Sequence, residues 1–537
     1  MMSQTLKNIL KYGLEKPREI TVQRIAEDLQ LRPATVQKYF RQLKQAGRVA
    51  QFGPDSKDSR FRLMNPKVYF DNFLFVYKKH QLAGYLNFEA GQHEFAYDNN
   101  YLVQTDTMPI SPDLDLTEKP FQSVKLFPAF EQLLPEGQDR KLLEIHAGSA
   151  NDFDLLPCLQ HLYGDLQFSR IPLNVSTINQ VPTVRYTEVK KEILGQNVFP
   201  NILPFSLSIE ESLLFPTTST LETVAPRFMP SGLSGYQHKL PVVVDWNQQD
   251  IRAPQDQEVV HYFIKPYQPQ KADCQNDYYF PHLAINEHLF MTFAKNELGL
   301  EVPYNGVVKR PFDKEYHYLV KRFDRYNGHK FAHTEFATLM GQDSESKYQG
   351  SSEKLFRRMK NWLPVAKERL RFLQYYFYSM LIVHEDLHTK NLSVLAEEKK
   401  LRIAPLYDIT TTAIYQNAYG YETHLPINGK RTKIRPADFA ILIDILEVNH
   451  RTFEEVASAM LFSYTHKLPE YFDKVQEAFP EARVYKISRQ VGPGTGGRKQ
   501  LTPKSSLSLA DAFRKSYQER ITQLRKLDWY NYLAVLI

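Results

Sequence analysis

The chain has 537 residues, 42% of them hydrophobic and 13% aromatic, and its 67 Lys and Arg against 61 Asp and Glu leave a net charge of +6. That length exceeds a single hydrophobic core, and that composition argues against a disordered chain, so two to four globular domains are expected. Two cysteines without metal-ligand spacing, Cys158 and Cys274, exclude a disulfide framework or zinc site, and neither a signal peptide nor a run of about 18 apolar residues is present, which points to the cytoplasm and away from membranes.

Leu6, Ile9 and Leu10 recur at helical spacing and stop at Gly13. Thr21 caps a second helix that buries Ile25, Ala26 and Leu29. Pro33 opens a third, which turns Val36, Phe40 and Leu43 inward and ends at Gly47. RVAQFGPDSKDSRFRLM then reads as a β-hairpin. Three short helices followed by a hairpin predict a winged helix over residues 1–66, with its third helix in the major groove of double-stranded DNA. Thr35, Gln37, Lys38, Arg41 and Lys44 fall on the faces left by the apolar stripe, while Lys57, Arg60 and Arg62 line the wing. A protein-binding helical module with a solvated basic face is the alternative. Cations on both elements that would touch a duplex favour DNA. The stretch also resembles the winged helices of bacterial regulators.

Residues 67–150 open with alternating apolar and polar residues, broken at Gly84, Gly91 and Asn99-Asn100, which predicts a meander of antiparallel strands. A Pro- and Asp-rich turn region and FPAFEQLLPEGQDRKLLEIHA follow. On physical grounds this module is structural.

From residue 151 onward the chemistry accumulates. SGLSGYQHKLPVVVD, residues 231–245, is a small-residue loop entering a strand, suited to bring backbone amides against phosphate oxygens. VVHYFIKPY is a buried-type strand with one cation, Lys265, fit to pair with phosphates, although a lone lysine there could also snorkel outward. The amphipathic helix NEHLFMTFAKNELGLEVP carries Glu287 near its start, either orienting Lys265 or exposed in a first turn. YHYLVKRFDR reads as a strand and hinge between two lobes, with backbone groups for adenine and Asp324 for a ribose.

The strongest signal is His384-Glu385-Asp386-Leu387-His388-Thr389-Lys390-Asn391, preceded by an apolar helix and followed by a strand pair, then Pro405-Leu406-Tyr407-Asp408. Phosphoryl transfer needs a carboxylate for the acceptor hydroxyl and oxygen ligands holding Mg²⁺ against the triphosphate. Asp386 suits the base, and Asn391 and Asp408 suit the metal. From about residue 430 the pattern is helical, apart from VGPGTGGRKQLTPKSS at 491–506, which reads as a mobile loop rather than a phosphate loop.

The series LPEG, LSGYQHK, FIKP, AKNELGLEVP, VKRFDR, DLHTKN and PLYD resembles HipA-like kinases in order and spacing over roughly residues 68–470. The resemblance implies an ATP- and Mg²⁺-dependent kinase acting on a protein Ser or Thr hydroxyl, with growth arrest through a translation factor. By position it places nucleotide contacts at Ser234, Gly235, Tyr236, Gln237, His238, Lys239, Lys265, Lys321, Arg322, Phe323, His388, Thr389, Lys390, Asn391, Tyr407 and Asp408. It puts Gly232, flanked by Ser231 and Ser234, where family members autophosphorylate a serine, and Lys321 where the hinge is often acidic. A separate antitoxin usually supplies DNA binding in that family, whereas here the predicted winged helix lies in the same chain.

The expected architecture is α+β: a winged helix at 1–66, a HipA N-terminal-like β module at 67–150, and a two-lobed kinase-like domain with its N-lobe at 151–325 and a mainly helical C-lobe at 326–537. The expected function is a serine/threonine protein kinase with DNA binding for autoregulation. Its rivals are a nucleotide-sensing transcriptional regulator with an inactive kinase fold, a small-molecule phosphotransferase and, more remotely, a nucleic-acid-cleaving enzyme.

Overall fold

The computed structural model describes residues 5–535 apart from 7, 10–11, 13–19, 46–48, 53–59, 64–72, 105–106, 171–172, 174–183, 229–236, 256–257, 274–275, 277–278, 343–345, 347–348, 398–399, 416–417 and 491–499. The chain divides into two units. One joins Met1–Phe127, Ser149–Leu159 and Asp165–Val181; the other joins Pro128–Gly148, Gln160–Gly164 and Pro182–Ile537.

In the first unit Thr21 caps the helix Val22–Asp28 by accepting from the Arg24 N–H, and Pro33 opens the helix Pro33–Gln45. The strands Ile20–Thr21, Arg60–Leu63 and Val49–Phe52 pair antiparallel in that spatial order. A five-stranded antiparallel sheet follows, ordered Phe121–Ser123, Gln92–Tyr97, Gln81–Glu89, Phe73–Lys78, Leu166–Ser169. The expected break at Gly84 is instead strand interior. A Cβ there would stand 2.4 Å from the Ala96 carbonyl oxygen, and the pairing shifts register opposite it between Val76 and Tyr77, so the glycine serves a bulge. Ile9, Val22, Ile25, Val36 and Phe40 share one core with Phe75, Tyr77 and Tyr85. The segments expected as separate domains at 1–66 and 67–150 are thus one packed body.

The second unit is built on a six-stranded sheet ordered Asn305–Val308, His317–Lys321, Tyr262–Lys265, Leu240–Asp245, Asp250–Arg252, Ser206–Ser208, antiparallel but for the last pair. The helix Leu283–Asn296 packs against it and is buried from Ala284 to Ala294, with its enclosed polar residues Asn286, Glu287 and His288 each hydrogen-bonded. A smaller sheet, His333–Glu335, Ser393–Glu397 and Lys400–Ile403, lies beyond the hinge. Helices Ser352–Trp362, Ala366–Leu381, Pro436–Ile445, His450–His466, Leu468–Ala478 and Leu509–Lys526 complete the unit.

Two expectations change here. The helix Gly137–Ala147, read with the β module, belongs to the second unit, because Leu142 packs among Leu203, Val242 and Ile264. The chain beyond 430 is not helical throughout: Arg483–Gln490 pairs antiparallel with Gln500–Ser508. Part of the presumed loop at 491–506 is therefore strand, pinned by buried Val484 and partly buried Leu507, and the glycine-rich 491–499 lies outside the described residues.

Candidate active site

Lys265 ends its strand buried, and its ammonium donates to both Glu287 oxygens at 2.8 and 3.0 Å and to Asp408 at 2.6 Å. Glu287 sits one turn into the Leu283–Asn296 helix, 2% exposed, so the exposed first-turn alternative falls away. Its neighbours bind elsewhere. Asn286 holds the Thr411 backbone through both amide atoms, at 2.8 and 3.0 Å, and so fixes the segment that follows Asp408. His288 contacts Asn305 at 2.6 Å and accepts from the Asn201 N–H at 2.8 Å.

Charge accumulates in this cavity. Burial would lower the Lys265 pKa, but Asp408 and Glu287 raise it above the ordinary lysine value. Burial pushes the Glu287 carboxyl up to about 7 against the pull of Lys265. It would also raise Asp408, yet Lys265 and Lys239 outweigh it and hold that carboxyl well below the usual range. Asp408 has φ +57°, a left-handed conformation that L residues seldom adopt and that clusters at functional sites. Lys239, His388, Lys390, Asn391 and Tyr407 line the same cavity, together with the apolar Phe263, Met291 and Val320.

The loop after the helix Ala366–Leu381 is shaped by its own hydrogen bonds. The Asn391 amide donates to the Asp386 carbonyl at 3.0 Å, leaving its oxygen as the acceptor available to a cation. Lys390 is buried and donates to Glu136 at 2.7 Å, while its carbonyl accepts from the Tyr407 hydroxyl at 2.9 Å. Thr389 bonds Gln342 at 2.9 Å. Asp386 itself is solvent-exposed.

Residues 231–482 match the family model of the HipA-like C-terminal domain, and residues 74–169 match that of the HipA N-terminal domain. The chain therefore matches both HipA models, N-terminal before C-terminal, within residues 74–482. The Sinorhizobium fredii (strain NBRC 101917 / NGR234) protein named "Putative kinase Y4mE" is 25% identical over 347 residues, 60% of this chain and 73% of that relative. Among solved structures, the Shewanella oneidensis MR-1 HipA, solved with HipB and operator DNA, superposes with a TM-score of 0.54 at 16% identity, over 86% of this chain and 100% of that one. The two share a fold of mixed helix and sheet.

Within the HipA-like C-terminal match the structure brings together Lys239, Lys265, His388, Lys390, Asn391, Tyr407 and Asp408. Others point elsewhere. His238 contacts Asp139 and the Leu213 carbonyl, where burial would lower its pKa and Asp139 raises it. Gln237 is half-buried. The Lys321 ammonium donates to the Glu192 carbonyl at 2.7 Å, and the Arg322 guanidinium is spent on Asp324 and the carbonyls of His161 and Leu162. Asp324, expected at a ribose, is fully buried between Arg322, Arg325 and the Gly164 N–H. Phe323 stacks on Tyr407 at 5.6 Å. Ser234, Gly235 and Tyr236, with Ser231 and Gly232, lie outside the described residues.

Sequence reasoning missed Glu136 and Asp139. Both fall in the HipA N-terminal match yet belong to the second unit, where Asp139 also accepts from the Lys239 N–H at 3.1 Å. One short segment therefore holds the loops on either side of the cavity. The signal was present: LPEG followed by Asp139 sets two acids three residues apart at a helix start, where backbone N–H groups favour negative charge.

Of the DNA candidates, Lys38 and Arg41 are exposed and Thr35 and Gln37 half-buried on the helix Pro33–Gln45. Lys44 shares that helix, and Arg60 and Arg62 lie on the strand Arg60–Leu63. Lys57 is outside the described residues. Among the described residues no helix is long and apolar enough to cross a membrane.

Proposed function

We propose that the chain is an ATP- and Mg²⁺-dependent protein kinase that transfers the γ-phosphoryl group to a Ser or Thr hydroxyl. The observation that carries this reading is the joint of Lys265, Glu287 and Asp408 in one cavity with Asn391. A lysine held by a helix carboxylate and by a metal-type aspartate is the arrangement phosphoryl transfer uses. The donor set fits magnesium, which the Asp408 carboxylate and the Asn391 amide oxygen would hold together with phosphate oxygens. When bound, such an ion would supply positive charge against the phosphates. Lys239 and Lys265 meet phosphate oxygens, Phe263, Met291 and Val320 supply apolar walls for a base, and Asp386 takes the proton of the acceptor hydroxyl.

The toxin reading and DNA binding are proposed on separate grounds. Two HipA domain matches and a fold shared with a HipA solved in a toxin–antitoxin–operator complex support a toxin kinase that arrests growth. A capped helix, a second helix with Lys38 and Arg41 exposed, and a three-stranded sheet support a winged helix that lets the chain bind its own operator, with or without a separate antitoxin. The deciding experiment is labelled γ-phosphate transfer from ATP into host lysate, wild type against Asp386→Ala. A labelled protein that vanishes with the variant supports the kinase. No transfer from a preparation that binds ATP points instead to a nucleotide-sensing regulator.

A further inference from the structure

Glu385, one residue before the proposed base, has a task of its own. Its carboxylate accepts three consecutive backbone N–H groups, from Tyr419 at 3.1 Å, Gly420 at 2.9 Å and Tyr421 at 3.2 Å. Its carbonyl contacts His424 Nδ1 at 2.9 Å. Further along the same turn Glu422 is buried, accepting from the backbone of Lys433 at 2.5 Å and Ile434 at 3.2 Å and pairing with Arg520 at 3.4 Å. The turn from 419 to 424 is thus tied on one side to the loop of Asp386 and on the other to the core.

Held this firmly, the turn still gives Tyr419 to solvent, 77% exposed. The Tyr419 and Tyr421 rings stack at 5.3 Å and 13°, and the Arg431 guanidinium lies 5.2 Å from the Tyr421 ring centre. Neighbouring Lys430 is neutralised by Asp438 at 2.8 Å, whereas Arg431 and exposed Lys433 make no ion pair among the described residues. A single exposed tyrosine is unremarkable on a protein surface. A rigid tyrosine pair backed by arginine is the composition of a binding anchor.

We infer that Tyr419, Tyr421, Arg431 and Lys433 form the docking surface for the acceptor, a polypeptide segment whose Ser or Thr is flanked by acidic side chains. This rests on the proposed kinase reading and names its substrate class. Carboxylates complement the two uncommitted cations, and the tyrosine pair gives an apolar face to an extended chain. A nucleic-acid strand fits less well, since Glu385 and Asp386 would repel a continuous row of phosphates beside so few cations.

The test uses the full chain with ATP, Mg²⁺ and Ser/Thr peptides bearing either Asp and Glu or Lys and Arg at flanking positions. Wild type should favour the acidic set, Arg431→Lys should keep that preference, and Arg431→Glu should shift it toward the basic set. Tyr419→Ala should raise the peptide KM about tenfold, the loss of one modest anchor, with the KM for ATP as control. Transfer with unchanged selectivity in Arg431→Glu overturns the docking surface alone. No transfer by wild type to any peptide, from protein that binds ATP, overturns the kinase reading and the docking surface with it.

Discussion

The Lys390 ammonium donates to the Glu136 carboxylate at 2.7 Å across 254 residues of chain, and both groups are enclosed, at 4% and 18% exposure. A segment matched to the HipA N-terminal domain thereby fixes a side chain between the proposed base and the proposed metal ligand. Asp139, three residues on, does the same for the approach to Lys239.

Glu136→Gln should keep an acceptor near Lys390 but remove its counter-charge. Removing the counter-charge from a buried pair costs up to about 3 kcal/mol for an apolar replacement and less for the amide. We expect kcat to fall at least tenfold, ATP affinity to change little, and Glu136→Ala to melt lower than Glu136→Gln. Equal activity of Glu136→Gln and wild type would mean that the pair serves folding only.

Lys265→Met should weaken ATP binding and lower the melting temperature together, because it leaves Glu287 and Asp408 facing each other without the ammonium between them. Added Mg²⁺ should restore part of the lost stability by binding the exposed carboxylate charge. Calorimetric melting with and without Mg²⁺ checks this, and a variant as stable as wild type in both conditions would contradict it.

Burial would raise the Asp313 pKa, but His317 and Arg310 hold it down at about 2. A depressed carboxylate contributes stability that is complete above its unfolded value near 3.8 and is lost as pH falls through 2. The gap corresponds to about 2 kcal/mol for this partly screened group. Asp313→Asn should melt below wild type at pH 7 and converge with it toward pH 2. A constant difference across that window would refute the assignment.

Replacing Lys38 and Arg41 together with alanine should weaken duplex DNA binding and flatten its salt dependence by roughly two units of log–log slope, since two phosphate contacts release two counterions fewer. Fluorescence anisotropy across a salt series gives the slope directly. Weaker binding at an unchanged slope would place the helix Pro33–Gln45 away from the phosphates.

Much of the site was legible because its chemistry demands particular residue types at short spacing. Lys265, Asn391 and Asp408 could be named from their motifs, and the structure gathers them in one cavity. The partners that hold them were harder to read. Glu136 looked like part of a structural phrase, since nothing local reveals that it meets Lys390 far along the chain. Asp324 misled in the opposite direction: an acid after a hinge strand suits a ribose, but buried Arg322 and Arg325 claim it. Gly84 looked like a strand break because composition cannot separate a turn from a bulge under close packing. The ribbon Arg483–Gln490 and Gln500–Ser508 was hidden by its glycine- and proline-rich middle, which masked the alternation on either side.

The helix Leu283–Asn296 sends three adjacent polar side chains to three destinations: Asn286 to Thr411, Glu287 to Lys265, and His288 to Asn201 and Asn305. Successive positions on a helix are turned by about 100°, so no rotation of the rod preserves one of these bonds while surrendering another. Inserting a single residue ahead of Asn286 would misdirect all three at once and bury their polar atoms against hydrocarbon. Point substitutions here can be graded, but a change of length cannot. Descendants of this sequence are free to gain or lose residues in their surface loops, while the length of this one rod stays locked to the chemistry beside it.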